Sequence, residues 1–95
     1  MELIVTDSAH KWFVEELGLE SGNFVRIFGK YGGSTNVHVG FSTGISLVEP
    51  EDARTTTVID GITYFTEQAD DWFFTDYVLT VDIDDKLNEP SFTYA

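Results

Sequence analysis

Residues 37–48 constrain the fold more than any other stretch. Val37, Val39, Phe41, Ile45 and Leu47 alternate with His38, Gly40, Ser42, Gly44 and Ser46. A period of two belongs to a strand, whose side chains point in turn to opposite faces of a sheet. One row is apolar and asks for a core. The other is almost stripped of side chains. Glycine inside a strand marks a bulge or the close approach of another group. An aromatic ring or a second backbone is therefore expected over the bare row.

The remaining punctuation fits a sheet protein with little helix. Residues 2–5 read as a first strand. Thr6, Asp7 and Ser8 supply side-chain oxygens that can cap the orphan N–H groups of a helix start. Ala9, Trp12, Phe13 and Leu17 then fall at helical spacing, and Gly18 suits the left-handed residue that ends a helix. The spacing predicts a helix over 7–17. Residues 24–31 form a strand with faces Val25/Ile27/Tyr31 and Phe24/Arg26/Phe28/Lys30, and 32–36 form a turn. Residues 49–52 form another. Two short strands, 55–59 and 62–66, flank Asp60-Gly61, a pair suited to the positive φ values of a type I′ hairpin turn. Residues 67–74 read as a short helical turn, with at least two of Trp72, Phe73 and Phe74 in the core. A strand over 77–83 follows, then a tail in which Phe92 and Tyr94 are spaced as one face of an edge strand. Strands joined mostly by turns predict a β-rich α+β fold rather than a wound parallel sheet. With 95 residues, the expectation is one domain over 1–95.

Composition excludes several classes. Hydrophobic residues make up 42% and aromatics 15%, too apolar for a disordered chain. No apolar run approaches the ~18 residues of a membrane span. The chain opens directly into a strand-like run without a basic leader, which reads as cytoplasmic. It has no cysteine, so disulfides, thiolate metal sites and cysteine nucleophiles are out. The net charge of −12 is uneven. Residues 1–48 hold five acids and three bases, net −2; residues 49–95 hold twelve acids and two bases, net −10. Such a field repels nucleic acid and anionic lipid. It attracts a basic protein partner, or it only keeps the chain soluble.

Several groupings invite a chemical reading. Lys30-Tyr31-Gly32-Gly33-Ser34 can turn a chain or present N–H groups to an anion, but it lacks the spacing of a nucleotide-binding loop. Ser34, His38 and Asp82 have the residue types of a hydrolytic triad, without a nucleophile elbow around the serine. His10 falls in the first helical turn and is expected at the surface. The run from Asp82 to Glu89 fails as a calcium loop, since Lys86 and Leu87 stand where an oxygen ligand and a glycine are needed. Asp70-Asp71-Trp72-Phe73-Phe74 mixes acids and rings, and an exposed Trp72 would suit a protein contact.

The segment from Val25 to Ser34, the Gly40-Phe41-Ser42-Thr43-Gly44-Ile45 strand, Gly61-Ile62-Thr63-Tyr64-Phe65 and Asn88-Glu89-Pro90-Ser91-Phe92 together resemble the HesB/IscA-like family of A-type iron–sulfur carriers. Within it they look closest to a cysteine-free bacterial subgroup. The resemblance implies a twisted, mixed sheet assembly flanked by an N-terminal amphipathic helix. It places the family's loop cysteine at Gly33 (Ser34 or Thr35 on a slipped alignment) and its C-terminal pair within Asn88-Glu89-Pro90-Ser91. Thiolates normally hold such clusters, so no cofactor, metal ligand or catalytic residue is assigned. The expectation is a non-enzymatic protein of iron–sulfur cluster biosynthesis or iron metabolism, acting through contacts with a basic partner. A carboxylate-based iron or divalent-metal binder is the alternative. The candidate surface is Tyr31, Gly32, Gly33, Ser34, His38, Asp70 and Asp71.

Overall fold

The computed structural model describes residues 1–95. Seven strands run in the order β1 (Glu2–Val5), β2 (Phe24–Ser34), β3 (Val39–Ser46), β4 (Ala53–Ile59), β5 (Ile62–Glu67), β6 (Val78–Asp84) and β7 (Glu89–Tyr94). Helix α1 (Asp7–Leu17) follows β1, and a 3-10 turn (Gln68–Asp70) leads into the four-residue helix α2 (Asp71–Phe74). The strands form two mixed sheets. One has the order β1-β6-β7, with β1 parallel and β7 antiparallel to β6. The other has the order β3-β2-β5-β4, and only its central pair is parallel. The strand-rich α+β expectation holds at this level.

Local chemistry sets the ends of the elements. Thr6 Oγ1 accepts from the Ala9 N–H at 3.2 Å and donates to the Asp82 carboxylate at 2.9 Å, so one cap both starts α1 and fastens it to β6. Gly18 closes the helix at φ +62°. β3 and β4 lie at opposite edges of their sheet, so residues 47–52 must cross β2 and β5. The buried Glu67 carboxylate tethers that crossing by accepting from the N–H groups of Glu51 and Asp52.

A core of 14 residues joins both sheets and α1, including Leu3, Phe13, Val25, Ile27, Tyr64, Phe73, Leu79 and Val81. Burying a Val, Leu, Ile or Phe side chain contributes roughly 1.5–3 kcal/mol. Trp72 alone of its three-ring run stays out, 57% exposed. His10 departs from expectation, because it is buried on the inner side of α1. Its Nε2 meets the Asp60 carboxylate at 3.0 Å and its Nδ1 meets the Tyr64 hydroxyl at 2.7 Å. A carboxylate only accepts, so in the neutral ring Nε2–H donates to Asp60 and Nδ1 accepts from Tyr64. The helix is thereby tied to the β4–β5 hairpin.

The bare row of β3 is covered at one glycine only. A Cβ on Gly44 would lie 2.6 Å from the Phe28 ring, whereas one on Gly40 would meet nothing within 4 Å. Gly40 is needed for its φ of +83° instead. The expected turn over 32–36 is also displaced. β2 runs on through Gly32 and Gly33 to Ser34, with a register shift after Tyr31, and the chain reverses over 35–38.

Two outcomes follow. Asp60 and Gly61 take φ +52° and +76°, and a Cβ on Gly61 would lie 2.1 Å from Ser21 Oγ. Gly61→Val therefore carries both backbone strain and a clash, and should lower stability by about 1–3 kcal/mol in a denaturant titration. The second concerns alkaline pH. Burial, the larger cause, and the Asp60 charge push the Tyr64 phenol up to about 12; burial does the same to Tyr94. Unfolded phenols ionise near ~10, so between pH 10 and 12 the unfolded chain binds fewer protons than the folded one. Their contribution to stability is complete below that window and is lost as pH rises through it. Thermal midpoints should fall steeply over those two units, and the Tyr64→Phe/Tyr94→Phe variant should show a shallower slope.

Candidate functional site: an aromatic ribbon at the edge of a sheet

β2 and β3 form a long antiparallel ribbon whose inner row pairs Ile27 with Ile45, Gly29 with Thr43 and Tyr31 with Phe41. The first pairs sit over the core. A Cβ on Gly29 would be 2.4 Å from the Phe73 ring, so glycine is what lets α2 lie under the ribbon. Past that point the row emerges into solvent. Tyr31 is 89% exposed and Val39 92%. Tyr31 packs on Phe41 at 5.1 Å between ring centroids, and Phe41 on Trp72 at 5.3 Å. Three rings thus run from the ribbon onto α2. Gly32 and Gly33, at φ +94° and +70°, make the bulge beside them. A bulge sharpens the local twist of a strand pair and re-aims its side chains.

The reversal over 35–38 is held by side chains. Thr35 Oγ1 accepts from the N–H groups of Val37 and His38, which fills both its lone pairs. Its own proton must then go to His38 Nδ1, 2.6 Å away. That fixes the Nε2–H tautomer, and Nε2 donates to the Phe73 carbonyl at 2.6 Å. The imidazole lies flat on the Phe73 ring, 4.0 Å between centroids. Asn36 reaches the other sheet, donating to the Tyr94 carbonyl and accepting from the Tyr94 N–H.

The expected site residues are only partly brought together. Tyr31, Gly32, Gly33 and Ser34 lie exposed along the ribbon. His38 is half-buried with both ring nitrogens engaged, so it braces the ribbon and offers no free ligand atom. Asp82 bonds the Thr6 hydroxyl, so Ser34, His38 and Asp82 make no triad. Asp70 pairs with Arg26 at 2.6 Å. Arg26 lies on the face of β2 opposite Ile27 and Gly29, away from His38. Asp71 pairs with Arg54 at 3.4 Å. No three His, Asp or Glu side chains converge as a metal cage. Val39 is the surface residue that the sequence reading missed, and Phe41 is covered only in part, because an alternating apolar row looks the same whether or not anything covers it.

No family model matches the chain. It is 43% identical over 94 residues to the Bacillus subtilis protein named pyruvate dehydrogenase inhibitor, covering 99% of each. It is 34% identical to an uncharacterised protein of Staphylococcus saprophyticus, covering 97% of each, and 30% identical to one of Staphylococcus aureus, covering 98% of each. These relatives correct the resemblance to HesB/IscA-like carriers, since none is named for that family or for iron–sulfur cluster biosynthesis. The expectations of a role in iron metabolism and of a carboxylate-based iron binder fall with it. The physical reason lies in the residues used: a strand, a glycine bulge and a second glycine-bearing strand describe any twisted ribbon, and the cysteines that would distinguish a carrier were never present. The chain belongs to the family of the Bacillus subtilis pyruvate dehydrogenase inhibitor and its staphylococcal relatives.

Proposed function

We propose that this chain inhibits pyruvate dehydrogenase by direct protein contact, with no chemistry of its own. The observation that carries the proposal is the 43% identity to the Bacillus subtilis inhibitor across 99% of both chains. The match runs through nearly the whole of both sequences, so we take residues 1–95 to act as one unit. The surface also suits the role. An exposed Trp beside a Tyr and a half-buried Phe is the composition of an interface centre. The bulge residues Gly32 and Gly33, with Ser34, flank that centre, and the acids around Trp72 provide a charged rim. A cytoplasmic residence fits this reading.

The test is a titration of the purified protein into pyruvate dehydrogenase from the same bacterium. The expected result is a saturable fall in pyruvate-dependent rate that reverses on dilution, as binding without catalysis requires. The effect should weaken at high salt, because the screening length shrinks from ~8 Å at physiological ionic strength to ~3 Å at 1 M. An unchanged rate at a large molar excess, with no complex on a sizing column, would exclude the proposal.

A further inference from the structure

We infer that the open edge of β3, with the aromatic row beside it, binds an extended basic segment of a partner protein as an added strand. This deepens the inhibitory reading and rests on it only for the partner's identity. β3 ends the order β3-β2-β5-β4, so one side of it has no neighbouring strand. None of the backbone hydrogen bonds outside the ladders involves residues 39–46, and no side chain bonds to their backbone. The outward N–H and C=O groups of Val39–Ser46 therefore have no partner within the chain, and of these residues only Gly44 is buried. An unpaired edge is a template for another strand, and proteins usually blunt it with Lys, Pro or an inward-pointing charge.

β3 carries none of these. Its sequence is Val39-Gly40-Phe41-Ser42-Thr43-Gly44-Ile45-Ser46, without proline or any charged residue. The other edges differ. β7 contains Glu89 and Pro90 and is clamped at Tyr94 by Asn36. β4 begins with Ala53-Arg54 and continues in threonines. On β1, the Leu3 carbonyl accepts from Thr57 Oγ1 at 2.7 Å. Only β3 couples a bare edge to an apolar row that reaches solvent, made by the exposed Tyr31, Val39 and Trp72 and the half-buried Phe41. An added strand gains affinity from main-chain bonds and selectivity from what its alternate side chains meet.

Charge decides the occupant. A second copy of this chain would bring another −12 to the edge. Asp76 follows Trp72 closely along the chain, and the chain leaving β3 runs into Glu49, Glu51 and Asp52. Arg26 and Arg54 are already held in ion pairs with Asp70 and Asp71, and the remaining base of the ribbon, Lys30 opposite Ser42, lies on the face of β2 away from Tyr31. The segment that fits is extended, up to the eight residues of β3 in length, and alternates apolar side chains with Lys or Arg.

Capped octapeptides of alternating Val and Lys, and of alternating Val and Glu, test this by amide chemical-shift mapping. The Val–Lys peptide should bind saturably, shift the amides of residues 39–46 and slow their hydrogen exchange; the Val–Glu peptide should not bind. Val39→Lys, which blunts the strand edge and repels a basic peptide, should weaken Val–Lys binding by about tenfold or more, with an unchanged thermal midpoint because Val39 is exposed. Trp72→Ala provides a second probe outside the strand. With pyruvate dehydrogenase as the probe, both variants should inhibit less than the parent chain. A parent that fails to inhibit while the Val–Lys peptide maps to β3 removes the enzyme as target and leaves the docking edge standing. Equal inhibition by parent and variants overturns the docking edge and leaves the target. Shifts that map elsewhere, equal binding of both peptides, or a dimer in sedimentation that protects β3 also overturn it.

Discussion

The contact between Phe73 and Gly29 organises the molecule. The ring lies where any side chain at position 29 would be, so α2 can press against the inner face of the β2–β3 ribbon at backbone distance. From that seat Phe73 touches most of what joins the two sheets. His38 stacks on one face at 4.0 Å, Phe74 meets it edge-on at 5.1 Å, and Tyr94 approaches at 5.9 Å. Tyr94 is the last residue of β7, and its hydroxyl bonds Thr43 Oγ1 on β3 at 2.7 Å. Ribbon, short helix and far sheet are thus locked through one aromatic cluster. Edge-to-face ring pairs of this kind contribute roughly 0.5–1.5 kcal/mol each beyond the area they bury.

The exposed surface follows from the same contact. In an α-helix successive residues are about 100° apart around the axis. With Phe73 and Phe74 both turned inward, Trp72 has to face outward, where it lands against Phe41. The ribbon cannot bend back to cover that side, because Asn36 and His38 hold its tip toward β7 and the Phe73 carbonyl. The rigidity of the inner cluster is what keeps an apolar row standing in solvent. A surface fixed in this way loses little conformational freedom when a partner covers it.

Much of the fold was legible because it depends on short-range signals. Thr6 and Gly18 bracketed α1, Asp60-Gly61 announced its hairpin, and alternation located β3 and β6. The misses each had a long-range cause. His10 looked like a surface residue until Tyr64 and Asp60, more than fifty positions away along the chain, came to lie on its two nitrogens. Gly32-Gly33 looked like a turn, yet positive φ served a bulge inside a continuing strand. The candidate surface was half readable: Tyr31 and Trp72 were singled out, while Val39 was placed in a core that reaches only as far as the partly buried Phe41. Alternation reports which face a side chain takes, and only the tertiary fold decides where along that face the cover stops.

The acidic charge bears on the same surface. An apolar row beside an unguarded strand edge invites pairing with any exposed strand, its own copies included. No residue on β3 prevents that. The protection has to come from the whole chain, whose charge of −12 makes the close approach of two copies unfavourable over a Debye length of ~8 Å at physiological ionic strength. The same field favours a basic strand at the edge where an acidic or neutral one gains less. Specificity by this route needs no pocket and no charged residue on the strand itself. On the proposed docking, gatekeeping moves from the edge to the surface around it: the backbone of β3 pairs with the added strand while the surrounding acids select that strand's charge.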